Sequence, residues 1–443
     1  MSDYLSITKQ ALRCKAEFWY TLGMWKSSLF SLCGLFTLSL LSGCPQAKDP
    51  DTIQFSTWGS PEEMAILRPL IAEFEAQNPD IHVDLMHIPD KYFQKIHALL
   101  AANLSPDVMF LNNIQFPVYA SNDAFLDLTP YLQSSTQLKT QDFFPQTLEG
   151  FKWEQRIQGI PRDASNLVFF YNKDLFDQAG MAYPSADWDW ETFLRTAQTL
   201  TVDRDGDGTP EQFGVSAHHK NYFLFWFPYV WSAGGDIFDS SRQHFTLNQP
   251  EALKGIQRFA DLRHKHHVAP TRAQAGSLSM SQMFMQGKLA MVLNGRWAVP
   301  LYRKELGFNW DIAPFPKGEA GSVVDADASG WVIAKNTHQP EKAWKLVEFL
   351  ASRKASEAFT EPGLIIPARK DVAQSSIFLR PDTAPEHAQY FLDALDSGKP
   401  IPAVPYWNAV LEKVNKALEP VWNGSESADK ALNGLEQDVE TLL

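Results

Sequence analysis

The chain has 443 residues, 39 Lys plus Arg against 52 Asp plus Glu (formal charge −13), and is 44% hydrophobic and 21% charged. That balance marks an ordinary globular protein rather than a disordered one, and its acidity, with no basic stripe interleaved by aromatics, argues against a nucleic-acid partner. A single hydrophobic core stops growing near roughly 250–300 residues, so two lobes or domains are expected.

In chain order, the first feature is Ser28 to Ser42, an unbroken run of apolar and small residues following Lys26. A bilayer-spanning helix needs roughly 20 such residues, and a shorter run with a basic flank is a signal-peptide pattern. Its end, Leu41-Ser42-Gly43-Cys44, resembles the lipobox of bacterial lipoproteins. That resemblance implies cleavage before Cys44, diacylglycerol on the Cys44 thiol and an acyl chain on the new amine. Each buried methylene adds about 0.8 kcal/mol to such an anchor. A buried helix or an uncleaved anchor is the other reading of the run. The stretch before it is long and contains Glu17, which makes Met24 an alternative start. Cleavage removes residues 1–43 and leaves 35 basic against 50 acidic side chains, a formal charge of −15. Cys14 and Cys33 go with that segment, so on this reading the mature fold has neither disulfide nor thiol chemistry.

Residues 44–51 read as a tether. Thr52–Trp58 alternates as a strand, and Ser60-Pro61-Glu62-Glu63 opens an amphipathic helix running to about Gln77, with Ser60 as N-cap and Pro61 in the first turn. Ile81–Met86 is a second strand, Lys91–Asn103 a helix, and Asp107–Leu111 a short buried strand. Strand, helix, strand, helix, strand predicts a parallel α/β sheet, with ligand beyond the carboxyl ends of its strands, where Trp58, Asn112 and Asn113 fall. Strands are expected at Asn166–Tyr171, Leu289–Leu293 and Gly330–Ala334. Helices are expected at Trp190–Leu200, Gln249–Lys265, Ser279–Gln286 and Pro340–Ser352, with a mostly helical tail from about Trp407.

Six segments, in order, carry a resemblance that no one of them would carry alone. They are Ser105-Pro106-Asp107-Val108 with Phe125–Leu132; Gly159-Ile160-Pro161 with Phe170–Phe176; Trp188–Phe193; Phe284 with Gly287–Trp297; Lys342–Leu350; and Pro367-Ala368-Arg369. In these the chain is similar to the extracellular solute-binding protein family 1, the sugar-binding receptors of ABC importers that include maltose- and multiple-sugar-binding proteins. The resemblance implies a two-lobed α/β periplasmic-binding-protein fold of type II, each lobe a mainly parallel sheet flanked by helices and joined by a hinge that closes on ligand. It divides the chain into a signal peptide (1–43), a lipidated tether (44–51), lobe I (52–161 plus about 328–367) and lobe II (162–327 plus about 368–443). Crossings fall near Pro161–Asp163, Glu319–Asp327 and Ala368–Arg369. It implies an extracytoplasmic protein, anchored to the membrane through Cys44, that hands a carbohydrate to ABC permease membrane subunits. No cofactor, no enzymatic activity and a monomer are expected.

A sugar offers flat C–H patches and a rim of hydroxyls, so its site needs aromatic faces and polar side chains in a preformed cleft. The chain is rich in the former, with 14 Trp, 30 Phe and 12 Tyr. Trp297 and Trp407 stand where the resemblance implies sugar-stacking aromatics, each with the alternative of a packing role. Trp58 ends the first strand. Asn112, Asn113 and Gln115 follow the buried strand, where some sugar receptors carry an acid that this chain lacks. Asp163 is an acceptor for hydroxyls or a basic ligand, or else the partner of Arg162. Trp226 and Trp231 lie in the aromatic run Tyr222–Trp231, and Asp236, Arg296, Asp325 and Trp331 complete the set. The inventory is mainly aromatic and amide, which favours a neutral sugar.

Asp203, Asp205 and Asp207 sit at the spacing of a calcium loop, but Gly214 stands at the twelfth position, where a bidentate Glu is required. A solvated turn is the plainer reading. His264, His266 and His267 do not share one helical face and read as a polar helix end rather than metal ligands. Two other functions stay open: an exported carbohydrate hydrolase, which needs two carboxylates about 5–9.5 Å apart, and the same fold binding a polyamine, a metal complex or a glycerophosphodiester.

Overall fold

The computed structural model describes residues 51–217 and 223–443. The expected signal segment, Cys44, nearly all of the expected tether and Tyr222 of the aromatic run lie outside them. The strands that place the site are β1 (Thr52–Thr57), β2 (His82–His87), β3 (Val108–Asn112), β4 (Gly159–Ser165), β5 (Leu167–Asn172), β6 (Phe213–Val215), β7 (Leu289–Gly295), β8 (Trp310–Ala313), β9 (Asp327–Ile333) and β10 (Ile366–Pro367). They form two sheets, a six-stranded one in the order β10-β4-β9-β3-β1-β2 and a four-stranded one in the order β8-β5-β7-β6. The helices used below are α1 (Pro61–Gln77), α2 (Tyr92–Ala101), α3 (Trp190–Thr199), α4 (Phe227–Ser232), α5 (Pro250–His264), α6 (Val299–Glu305), α7 (Pro340–Leu350), α8 (Arg353–Thr360) and α9 (Trp407–Trp422).

Side chains alternate across a strand, and here the alternation divides each sheet between two cores. In β3, Val108 and Phe110 face a core with Leu67 and Phe74 of α1 and Leu346 of α7, whereas Met109 and Leu111 face one with Tyr92 and Ile96 of α2. In β5, Leu167, Phe169 and Tyr171 join α3, α4, α5 and α9, and Val168 and Phe170 join α6. The molecule is thus two-lobed, each lobe a sheet covered on both faces. Local chemistry sets the entries. Ser60 caps α1, its hydroxyl accepting from the Glu63 amide at 3.3 Å, and Pro61 occupies the first turn, where its missing N–H costs nothing.

The expectation of mainly parallel sheets is corrected. β1 pairs in parallel with β2 and β3, but β9, β4 and β10 add antiparallel, and in the smaller sheet β5 is antiparallel to both β8 and β7, with only β6 parallel to β7. The strands β9, β4 and β10 are the ones by which the chain passes between lobes; β9 and β10 run against β3, and β4 runs with it. The first crossing is also displaced: Pro161 and Asp163 are already paired to β9, and the chain leaves the larger sheet only at Asn166, between β4 and β5. Pro161 has no N–H for the ladder, and the register shifts opposite it, between Ser329 and Gly330. A Cβ on Gly330 would lie 2.3 Å from the Ile160 carbonyl oxygen, so the bulge needs glycine.

Candidate functional site

A cleft of about 180 Å³ opens between the two sheets. Trp58, following β1, Glu63 of α1, Ser329 of β9 and Leu364–Ile366 line it from the larger sheet. Arg296 and Trp297, which follow β7, line it from the smaller one, and Arg162 to Ser165 at the end of β4 lead into the crossing. The volume falls below the roughly 300–1,000 Å³ of ligand pockets, and the lobes touch around it. Gln115 and Asn408 of α9 exchange side-chain amide hydrogen bonds of 3.1 and 3.3 Å. Arg303 of α6 donates to the Pro362 carbonyl at 3.1 Å.

Trp297 is 43% exposed. It can face the cleft because Gly295 ends β7 without a side chain, leaving the indole to fold back over the backbone. Trp58 is half-buried, its ring 4.4 Å from Phe110 and 5.0 Å from Tyr92, which leaves one part of it for the cleft. His87 braces the turn after it, with Nε2 2.8 Å from the Gly59 carbonyl oxygen.

The polar floor is a buried ion trio. Arg162 pairs with Glu63 and donates through Nε to Asp163 at 2.6 Å, with its guanidinium 4.1 Å over Phe110. Burial would lower the Arg162 pKa, and Asp163 and Glu63 together raise it instead. Asp163 is pushed up by burial against the pull of Arg162, and its other oxygen accepts from the Ser329 amide at 3.1 Å. Asp163 is therefore the partner of Arg162 and of the backbone, with no free charge for a basic ligand. Across the cleft Arg296 is 2% exposed and its pKa is pushed down to about 9 by burial, with Arg303 and Arg380 adding to the effect.

Of the other expected residues, four tryptophans are corrected to core positions. Trp331 is 0% exposed, 4.6 Å from Phe110 on the face of β9 that meets α1 and α7. Trp226 packs on Phe227 and Trp422, Trp231 on Phe227, and Trp407 on Phe223. α9 turns the stripe of Trp407, Val410, Val414 and Leu418 inward, and α4 is buried throughout. Asn112 caps the turn after β3 by accepting from the Gln115 amide, and Asn113 is tied to Asp327 at 2.9 Å. Asp236 accepts from Trp231 Nε1 and lies 3.6 Å from Lys399. Asp325 is buried beneath the crossing, accepting from the Leu167 amide at 3.1 Å. Sequence reasoning passed over Glu63, Ser165, Ser329 and Leu364–Ile366; the apolar triplet directly before Pro367 was the available signal.

In the acidic loop, oxygens of Asp203, Asp205 and Glu211 come within 4.8 Å of one another. Asp207 is outside that group and accepts from the Thr209 amide, and Gly214 belongs to buried β6. His264 bonds the Trp422 carbonyl oxygen, consistent with a helix end. A larger cavity of about 630 Å³, lined by His97, Asn122 and Lys335 among others, holds none of the expected site residues. No helix among the described residues is long and apolar enough to cross a membrane.

A family model for the bacterial extracellular solute-binding protein matches residues 58–357. The galactooligosaccharide-binding protein of Bacillus subtilis is 24% identical over 432 residues, covering 92% of this chain and 95% of its own. The maltodextrin-binding protein of the same organism is 23% identical over 383 residues, 83% and 86% of the two chains. Among solved structures, an ABC substrate-binding protein from Listeria monocytogenes in complex with cycloalternan superposes with a TM-score of 0.80 at 26% identity, over 88% of this chain and 98% of that one.

Proposed function

Because the chain belongs to the bacterial extracellular solute-binding protein family, we propose that it is the extracytoplasmic substrate-binding component of an ABC importer, capturing a sugar or oligosaccharide between its lobes for the membrane permease. The observation that carries this is the pair Trp58 and Trp297, one from each lobe, lining a single cleft floored by a hydrogen-bonding ion trio. Ring faces with adjacent polar groups are the surface a pyranose needs.

The lobes follow the two sheets, residues 52–165 with about 327–367 forming one and 166–326 with about 368–443 the other. Cys44 carries the lipid that holds a monomeric receptor at the membrane, and the receptor catalyses nothing. Both carboxylates at the cleft, Glu63 and Asp163, are bound to Arg162, which supports binding over hydrolysis, since a glycosidase needs one acid and one base with separated pKa values.

A thermal-shift screen against mono- and oligosaccharides tests it. Ligand at 100 times its dissociation constant adds about 2.7 kcal/mol of stability. A shift with at least one saccharide, lost in Trp297→Ala, is expected, with no cleavage product by chromatography. A screen that answers only to polyamines or metal complexes overturns it.

A further inference from the structure

The buried charges at the cleft fall into two groups. Glu63, Arg162 and Asp163 satisfy one another. Arg296 has no acid: its Nη2 donates to the Phe378 carbonyl at 3.3 Å, and its Nε and Nη1 have no acceptor among the described residues. The guanidinium lies 4.0 Å over the Phe378 ring, a contact that offsets only part of the cost of burying it. The charges it feels are Arg303 and Arg380, both of its own sign. Arg303 donates to the carbonyls of Ala384 and Pro362 rather than to a carboxylate, and Arg380 meets Glu361 at 3.4 Å. The wall of the cleft on this side therefore includes a buried guanidinium with two unused nitrogens, and the charges nearest it are of its own sign.

An unpaired buried charge is strongly unfavourable, and a guanidinium presents a planar fork that matches an oxyanion with two hydrogen bonds. We propose that the cleft takes an anionic saccharide, one bearing a carboxylate or a sulfate, whose acidic group pairs with Arg296 while its ring stacks on Trp297. The two residues are adjacent in sequence, so one turn of chain after β7 supplies both the ring face and the counter-charge. Nε and Nη1 of Arg296 are sealed from solvent with the lobes together, so the acid enters while the lobes are apart. This rests on the carbohydrate reading above and narrows it, replacing the neutral sugar expected from the side-chain inventory.

Calorimetric titration of the whole protein with matched pairs decides it: glucose and glucuronate, galactose and galacturonate, the galacturonate trimer and its methyl ester, and galactose against a galactose sulfate. The expected result is that an acidic member binds at least tenfold more tightly than its neutral partner, and more weakly as salt rises. Arg296→Met weakens that binding about 10- to 100-fold, and Arg296→Lys restores part of it. The uronate and sulfate arms tell the two anions apart. Should Arg296→Met fail to fold, Arg296→Lys and the salt dependence of the wild type carry the test. Neutral members binding as well as acidic ones, or acidic binding indifferent to Arg296, overturn the proposal and leave the carbohydrate reading standing. No binding by any saccharide overturns both.

Discussion

The indole of Trp297 lies over the Cα of Gly295: a Cβ built there would sit 2.0 Å from the ring. The strand end is thus shaped for the ring, and the most exposed aromatic of the cleft is held by the absence of a side chain two residues earlier. Gly295→Ala should swing the ring away while leaving β7 intact. The expected outcome is saccharide affinity lowered at least about tenfold, as in Trp297→Ala, with an unchanged far-ultraviolet dichroism spectrum. Wild-type affinity in Gly295→Ala would show that the ring does not bind sugar in this pose.

Removing Arg162 strands two buried carboxylates. Breaking such a group by deleting one partner costs about 3–5 kcal/mol, so Arg162→Met should lower the urea midpoint by that equivalent at constant m-value. A neutral result would show that the trio contributes nothing net to the fold.

Stability should depend on pH through Asp325 and Asp327, buried together under the crossing. Burial pushes both pKa values up, and Asp327 raises Asp325 further. The native state therefore holds protons that the unfolded chain releases near pH 4. Stability from this pair is full below that pH and is lost as pH rises through the elevated native values. Asp325→Asn keeps an oxygen for the Leu167 amide and should raise the melting temperature at pH 7.5 more than at pH 4, measured by calorimetry. An equal effect at both pH values would remove the pair from the account.

Trp407 should behave as a core residue. It is 0% exposed, and truncation of a buried tryptophan costs about 3–5 kcal/mol. Trp407→Ala is expected to fall in urea midpoint by that equivalent while its folded fraction binds saccharide as the wild type does. Loss of binding without loss of stability would return Trp407 to the site.

How much of this could be read from residues alone depends on how strongly each segment is patterned. The helix α1 was legible because Ser60, Pro61 and the spacing Met64, Leu67, Ile71, Phe74 all point one way, and β3 because a four-residue apolar run admits little else. The strand β4 was not, since Pro161 argues against a strand and only the bulge opposite Gly330 accommodates it. The tryptophans divided for a geometric reason. On β9 a shift of one position decides which face an indole takes, and Trp331 shares the buried face with Ile333. Trp407 was legible in principle, for Val410, Val414 and Leu418 continue its helical stripe inward. Trp297 has no such stripe and follows a strand that ends in glycine. The missing acid beside Arg296 lay beyond sequence reasoning, because it is a fact about distant segments: Phe378 and Phe391 surround the guanidinium where a carboxylate would ordinarily stand.

Of the tryptophans among the described residues, Trp297 alone is open to solvent to this degree, while Trp226, Trp231, Trp331 and Trp407 are shielded. The receptor thus carries its own optical reporter at the mouth of the groove. Occupancy should shift the emission of Trp297, with a smaller share from half-buried Trp58, to shorter wavelength over a background from the buried ones, and iodide should quench the empty protein more than the filled one.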